Sequence, residues 1–383
     1  MTRQSGDLPT QFDQSERVGS GGNAFRALPP GVRPLVRPVH DVAEGHIMLR
    51  MTAAALAVLV AAPMAFAGTD YPLTLTSCGH EVTFDKAPES VVSIGQSTTE
   101  ILYMLGLADK VAGTALWINP VLPEFAGVDA KVQRLADNAP SFESVLAKRP
   151  GLAVAAYEWM IGPEGVVGTR EMFDDAGIPS WVMPTDCVGK NNSQGMDGAR
   201  TVLFDTALLY QGIGELARIF DVAERGEALI ADLKAREAAA IAQAQALNLP
   251  DDLSGVFWYS SADTQIDPYV AGVNAVPGWM LSKLGVRNVV TSDEEWPTVG
   301  WETIARANPT FIVAAEMNRR RFPADDIAVK RGFLSSDPVT SQMEAVKNDR
   351  ILTLEAHAMD PSIRAIYGLE ALSNALAGLG LSR

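Results

Sequence analysis

Aromatic residues recur where short apolar runs of this sequence end. Trp117 follows the run 111–116, Tyr157 and Trp159 follow 152–156, Trp258 and Tyr259 belong to the first run after Pro250, and Trp296 stands ahead of a helix-like segment. Such rings stack on large, partly apolar partners such as a corrin, a porphyrin or a catecholate, and their faces also hold cations. Taken singly, each is as readily a core residue. Arg319, Arg320 and Arg321 directly follow the run 311–315. A guanidinium there can grip a carboxylate or phosphate through two parallel hydrogen bonds; the alternative is a solvated basic turn. His357 falls near Met359 and Asp360 after the run 351–354. It stands either to contact a chelated metal or to be satisfied within the fold. A bare zinc or manganese site needs several histidines and carboxylates converging. Of the 4 histidines only His80 and His357 lie beyond residue 67, so no site binding a free metal directly is expected.

Catalysis has little support. No G-x-S-x-G elbow, phosphate-binding P-loop or H-E-x-x-H helix occurs. Cys187 and His357 are conceivable as nucleophile and base. The plainer account pairs Cys187 with Cys78 as a disulfide in an oxidising compartment, against a reading of two buried free thiols. No enzymatic activity and no intrinsic cofactor are expected.

The elements that would position these residues follow from periodicity. Short β-rich runs alternate with amphipathic helical runs, which implies parallel sheets flanked by helices. Residues 71–83 form a strand pair turning at Cys78-Gly79, and 91–94, 111–116, 152–156 and 178–183 are strands separated by helical stretches. From 199 to 250 the pattern is helical and free of proline until Pro250, with Gly212, Gly214 and Gly226 expected to bend or interrupt it, so that a long helix is followed by a second. The α/β alternation then resumes. The expected organisation is an N-terminal lobe over 68–198, a linking helical segment over 199–250 and a C-terminal lobe over 251–383. In open parallel sheets ligands sit beyond the carboxyl ends of the strands, which here means a cleft between lobes.

An internal echo supports two related lobes. Residues 141–154 align without gaps on 300–313, each copy placing a glutamate, Glu143 or Glu302, at a helix start with a proline seven residues on and a buried strand beyond. Capping by the helix dipole accounts for either glutamate alone; two at matched positions ask for more.

The N-terminal part reads as processing rather than fold. Arg50, a short apolar run and Ala65-Phe66-Ala67 form a signal peptide over 48–67, with cleavage after Ala67 and translation starting at Met48 or Met51. Residues 1–47 have no periodicity and read as a non-native or disordered extension. No cysteine stands at the cleavage site for acylation, so a soluble periplasmic protein is expected. A net charge of −15 argues against nucleic acid or anionic membrane as partner.

The chain resembles the periplasmic binding proteins for iron–siderophore complexes, haem and cobalamin. The residues that carry this are 80–84, Ala87-Pro88-Glu89 running into 91–94, Thr99-Glu100-Ile101-Leu102 with Leu105-Gly106-Leu107, both glutamate–proline helices, and the closing segment 367–372. The resemblance implies two lobes joined by a long rigid helix, and a monomer that binds a chelated metal complex and delivers it to ABC transporter permease subunits driven by a cytoplasmic ATPase. It assigns Glu143 and Glu302 to salt bridges with the permease. A receptor of the same fold that does not transport is the other reading.

Overall fold

The computed structural model describes residues 68–193 and 198–381; the expected extension over 1–47 and signal peptide over 48–67 lie outside them. β1 (Leu73–Ser77) and β2 (His80–Phe84) pair antiparallel with Ser77 opposite His80. Their residues alternate buried and exposed, as a period-two pattern demands. The two-residue turn needs positive φ at both positions, supplied by Cys78 (49°) and Gly79 (77°).

Next come β3 (Val91–Ile94), α1 (Gln96–Met104), β4 (Val111–Ala115), α2 (Ala126–Asp129), β5 (Arg134–Ala136), α3 (Phe142–Leu146), β6 (Ala153–Ala155), α4 (Glu158–Ile161), α5 (Arg170–Asp175) and β7 (Ser180–Val182). The strands form one parallel sheet in the order β5-β4-β3-β6-β7. β3, β6 and β7 are buried along their whole length, as parallel strands covered on both faces should be. β5 lies on the sheet edge, where Arg134 is exposed, and carries no apolar run that would announce it. A small hairpin of β8 (Lys190–Asn191) and β9 (Ala199–Arg200) follows.

Two helices then connect this sheet to the second one. α6 (Thr206–Ile219) and α7 (Ala223–Ala246) are separated at Asp221, which adopts φ 56°. Gly212 and Gly214 lie within α6 and Gly226 within α7, so none of the three interrupts a helix. The first and last of these serve close packing instead: a Cβ on Gly226 would come within 2.4 Å of the Ala217 methyl, and one on Gly212 within 2.6 Å of Met183. At about 1.5 Å per residue α7 is roughly 36 Å long, enough to join both cores. Leu233 packs in the first core with Ile101, Val154 and Leu216, while Ala240 and Ala244 pack in the second with Phe257, Trp279 and Phe311.

The second sheet comprises β10 (Ser254–Ser260), β11 (Tyr269–Val270), β12 (Arg287–Asn288), β13 (Phe311–Glu316) and β14 (Ile351–Glu355). Its order is β11-β10-β13-β14 with β12 also on β10, parallel except for β11. α8 (Val276–Lys283), α9 (Trp301–Ala307), α10 (Ile327–Ser336) and α11 (Glu344–Lys347) flank it. α12 (Arg364–Gly378) closes the chain and, like α7, spans both cores through Ile366 on one side and Leu372 on the other. The two spanning helices are fastened by Arg236, which forks onto Glu370 at 2.8 and 2.6 Å and covers the Tyr367 ring. The fold is therefore α/β with two lobes and a helical connection.

Cys78 and Cys187 are disulfide-bonded across a Cα separation of 4.8 Å. The bond ties the β1–β2 turn to the segment following β7, beside the hydrogen bond from the Val182 amide to Ser77 Oγ.

Candidate ligand cleft

The carboxyl ends of the two sheets face each other, because the contacts between lobes come from residues just beyond those ends. The first is a buried cluster. α1 starts directly after β3 at Gly95, whose φ of 147° lets the chain pass where a Cβ would lie 2.4 Å from the Ala156 methyl. Gln96 then accepts from the Ile118 and Asn119 amides at 3.1 and 3.0 Å and donates to Glu100 Oε1 at 3.0 Å. Glu100 is 0% exposed and Arg364, from the opposite lobe, 4%. Arg364 donates from Nε to Glu100 Oε2 at 3.0 Å, from Nη2 to Glu100 Oε1 and the Pro120 carbonyl, and from Nη1 to Glu355. Asn119 completes the ring by donating to Glu355 Oε1 at 2.7 Å.

Two further arginines cross between lobes. Arg200 donates to Glu295 Oε1 and to the Thr185 carbonyl, both at 2.9 Å. Arg319, just past β13, reaches the loops that follow β4 and β5: it donates to the Trp117 carbonyl, to the Asp137 carbonyl at 2.6 Å and to Asn138 Oδ1 at 2.8 Å.

The expected aromatic contacts divide. Tyr157 and Trp159, beyond β6, are half-buried and stacked with ring centroids 6.1 Å apart. Lys190 sits 5.9 Å from the Tyr157 ring and pairs with the buried Asp186. On the other lobe Tyr259 and Trp296, also half-buried, pair at 4.5 Å. Tyr259 is held from below by the buried Lys330, which donates to the Tyr259 carbonyl at 2.5 Å and the Ala315 carbonyl at 3.1 Å. Burial draws the Lys330 pKa down to about 8, against the opposing pull of Asp325.

Trp117 departs from expectation. Its ring is 1% exposed, its Nε1 donates to Thr114 Oγ1 at 2.9 Å, and Arg134 covers it at 4.5 Å, so its ring is packed away and only its carbonyl serves the lobe contact. Positive φ at Leu116 (58°) turns the chain inward there. His357 and Met359 are likewise buried, at 1% and 0% exposure. Burial, and then the charge of Arg364, push the His357 pKa down to about 3, and its Nδ1 has no hydrogen-bond partner among the described residues. Arg320 turns back to Asp326 of its own lobe at 3.1 Å. Glu143 and Glu302 are exposed in the first turns of α3 and α9. Each helix leads back into a parallel strand, β6 or β13, which sets its first turn on the carboxyl side of the sheet, at the cleft rim.

Gln96, Glu100, Asn119, Arg200, Glu355 and Arg364 escaped the sequence reading as site residues. The one available signal was a charge inside an apolar helical stretch: Glu100 beside Ile101 and Leu102, and Arg364 before Ala365 and Ile366. Among the described residues no group of three or more histidines, cysteines or acids stands where it would hold a metal ion.

Residues 91–358 match the family model described as periplasmic binding protein. A curated relative, the uncharacterized ABC transporter substrate-binding lipoprotein YvrC of Bacillus subtilis (strain 168), is 24% identical over 308 residues, covering 80% of this chain and 86% of its own. A periplasmic binding protein from Veillonella parvula is similar in structure with a TM-score of 0.65 at 23% identity, over 80% of this chain and 97% of that one. A structure described as an ABC-type Fe3+-hydroxamate transport system from Saccharomonospora viridis gives 0.63 at 23% identity, over 80% and 99%. The heme-binding protein BhuT, in complex with two hemes, gives 0.59 at 19% identity, over 77% and 99%. These structural likenesses concern the fold; the family match runs from β3 to the segment after β14, and on it the chain belongs to the periplasmic binding protein family.

Proposed function

We propose that this protein is the solute-binding component of an ABC importer, capturing a bulky metal chelate, either an iron–siderophore complex or a tetrapyrrole or corrinoid, and delivering it to the membrane permease. The observation that carries the reading is the placement of two aromatic pairs, Tyr157–Trp159 and Tyr259–Trp296, at the carboxyl edges of opposite lobes. Such faces suit a ligand with a large apolar surface. Arg319 adds a cation at the same edge. The name of the curated relative points to ABC transport, and two structural neighbours are described with Fe3+-hydroxamate and heme.

Glu143 and Glu302 form the docking points for the permease subunits. The mature chain works as a monomer in the periplasm. Cys78 and Cys187 are both consumed by the disulfide, which removes Cys187 as a nucleophile for His357. No helix among the described residues is long and apolar enough to cross a membrane.

Titration with haemin, ferrichrome and cyanocobalamin, followed by tryptophan fluorescence and checked by calorimetry, tests the ligand class. At least one chelate should bind tightly and quench. Tight binding of a sugar or an amino acid, with no response to any chelate, would exclude it.

A further inference from the structure

Residues on the connection between β7 and α6 reach the roots of both aromatic pairs. The connection is pinned near its start by the bond from Cys187 to Cys78. On the first lobe the buried Asp186 accepts from the Glu158 amide at 2.6 Å, and Glu158 stands between Tyr157 and Trp159 in the chain. Asp186 also pairs with Lys190, whose ammonium lies over the Tyr157 ring. On the second lobe Arg200 donates to Glu295 Oε1 at 2.9 Å, and Glu295 directly precedes Trp296. The two roots meet, because Arg200 also donates at 2.9 Å to the carbonyl of Thr185, the chain neighbour of Asp186.

Resting on the cleft reading above, we infer that Arg200 and Asp186 are positioning residues of the ligand site: acting through Glu295 and Glu158, they hold the Tyr259–Trp296 pair and the Tyr157–Trp159 pair at one separation, so that a single network sets the width of the aromatic cleft. The loop carrying Trp296 is fastened to its own lobe by the Gly272 amide on the Glu295 carbonyl and the Val270 amide on the Pro297 carbonyl, both at 3.0 Å. Those bonds fix the shape of the loop; Arg200 is what ties it to the first lobe. The Arg200 and Glu295 side chains are almost fully out of water, so salt screens their attraction little. Removing the cation leaves a carboxylate that must move towards water, and Glu295 cannot move without the adjoining Trp296. The long helices α7 and α12 set the two lobes against each other as bodies, whereas this network acts on the residues at the aromatic edge.

A double-mutant cycle separates this role from a general structural one, with whichever of haemin, ferrichrome and cyanocobalamin wild type binds as the probe. Arg200→Gln should weaken binding about tenfold in the parent and less than about twofold in a Trp296→Ala background, since residues that act through one another are not additive. Arg200→Lys, which keeps the charge, should recover part of the loss. Where an uncompensated Glu295 prevents the single variant from folding, Arg200→Gln/Glu295→Gln removes both charges and should show the same dependence on Trp296. Fluorine NMR of protein carrying 5-fluorotryptophan needs no ligand. The Trp296 resonance, assigned by its loss in Trp296→Phe, should shift in Arg200→Gln and in the double variant, and the Trp159 resonance in Asp186→Asn, while that of the buried Trp117 stays in place. Equal losses in both backgrounds, or a Trp296 resonance that neither variant moves, overturns the role of Arg200 and leaves the chelate reading standing; an unmoved Trp159 resonance does the same for Asp186. If wild type binds none of the three chelates the functional reading falls, and the fluorine spectra alone decide whether the network positions the two pairs.

Discussion

Arg364, at the start of α12, holds Glu100, in the middle of α1, across the boundary between lobes through paired hydrogen bonds, the Nε–Oε2 contact measuring 3.0 Å, with both side chains almost fully out of water. The pair is the innermost link between lobes whose cores are otherwise joined by α7 and α12. Removing the cation alone should leave Glu100 buried and uncompensated. Arg364→Met is expected to lower the unfolding free energy by about 3–5 kcal/mol, and Glu100→Met/Arg364→Met to recover much of that loss, since replacing a buried pair by apolar residues is often nearly neutral. Urea unfolding of the three proteins measures both. A single variant as stable as wild type would show that the cluster is solvated.

The disulfide closes a loop with a sequence separation of 109 residues. Chain entropy then assigns it a stabilisation of about 5 kcal/mol. Cys78→Ser/Cys187→Ser should fold with the same circular dichroism and melt well below the oxidised parent. A melting temperature unchanged by the double substitution would place its contribution near zero.

His357 gives the protein a defined response to acid. Its native pKa is about 3, below the ordinary value of 6.5, because burial and the Arg364 charge oppose protonation. The unfolded chain therefore binds the proton first, and stability contributed above pH 6.5 is lost as pH falls through the interval from 6.5 towards 3. The loss should reach about 4 kcal/mol at the lower end. His357→Gln should flatten that part of the profile relative to wild type. Superimposable profiles would mean that His357 is hydrated.

Docking and binding should separate at Glu143 and Glu302. Both are exposed in the first turns of α3 and α9, and on the proposed docking role their charges should bear on the permease and not on the ligand. Glu143→Lys/Glu302→Lys replaces attraction by repulsion, a stronger perturbation than deletion. Uptake into vesicles holding the importer should be abolished while chelate affinity and the urea midpoint stay within error of wild type. Surviving uptake, or a collapse of chelate affinity, would return the two glutamates to simple helix capping.

The sequence by itself determined the class of fold, the longer buried strands and the helical connection. Runs such as 91–94 and 152–156 are buried on both faces, and that burial is written locally as continuous apolar residues between turn signals. The matched segments around Glu143 and Glu302 were legible for the same reason: each is a local pattern of cap, helix and strand. Where packing overrode local signals the reading failed. Gly212 and Gly226 looked like breaks, but the one leaves room for Met183 and the other lets α7 lie against Ala217 of α6, and the break fell at Asp221 instead. Trp117 stood at a strand end as an aromatic contact should, yet Arg134 and Thr114 packed its ring inside. Only the tertiary structure decided which charges meet. Glu100 and Arg364 are 264 residues apart and Arg319 lies 202 from Trp117, and nothing in the periodicity of either partner records the other. Such pairs depend on how two separately formed lobes are set against each other. That setting comes from the long helices that pack into both cores, and it is what brings arginines scattered along the sequence onto partners in the opposite lobe.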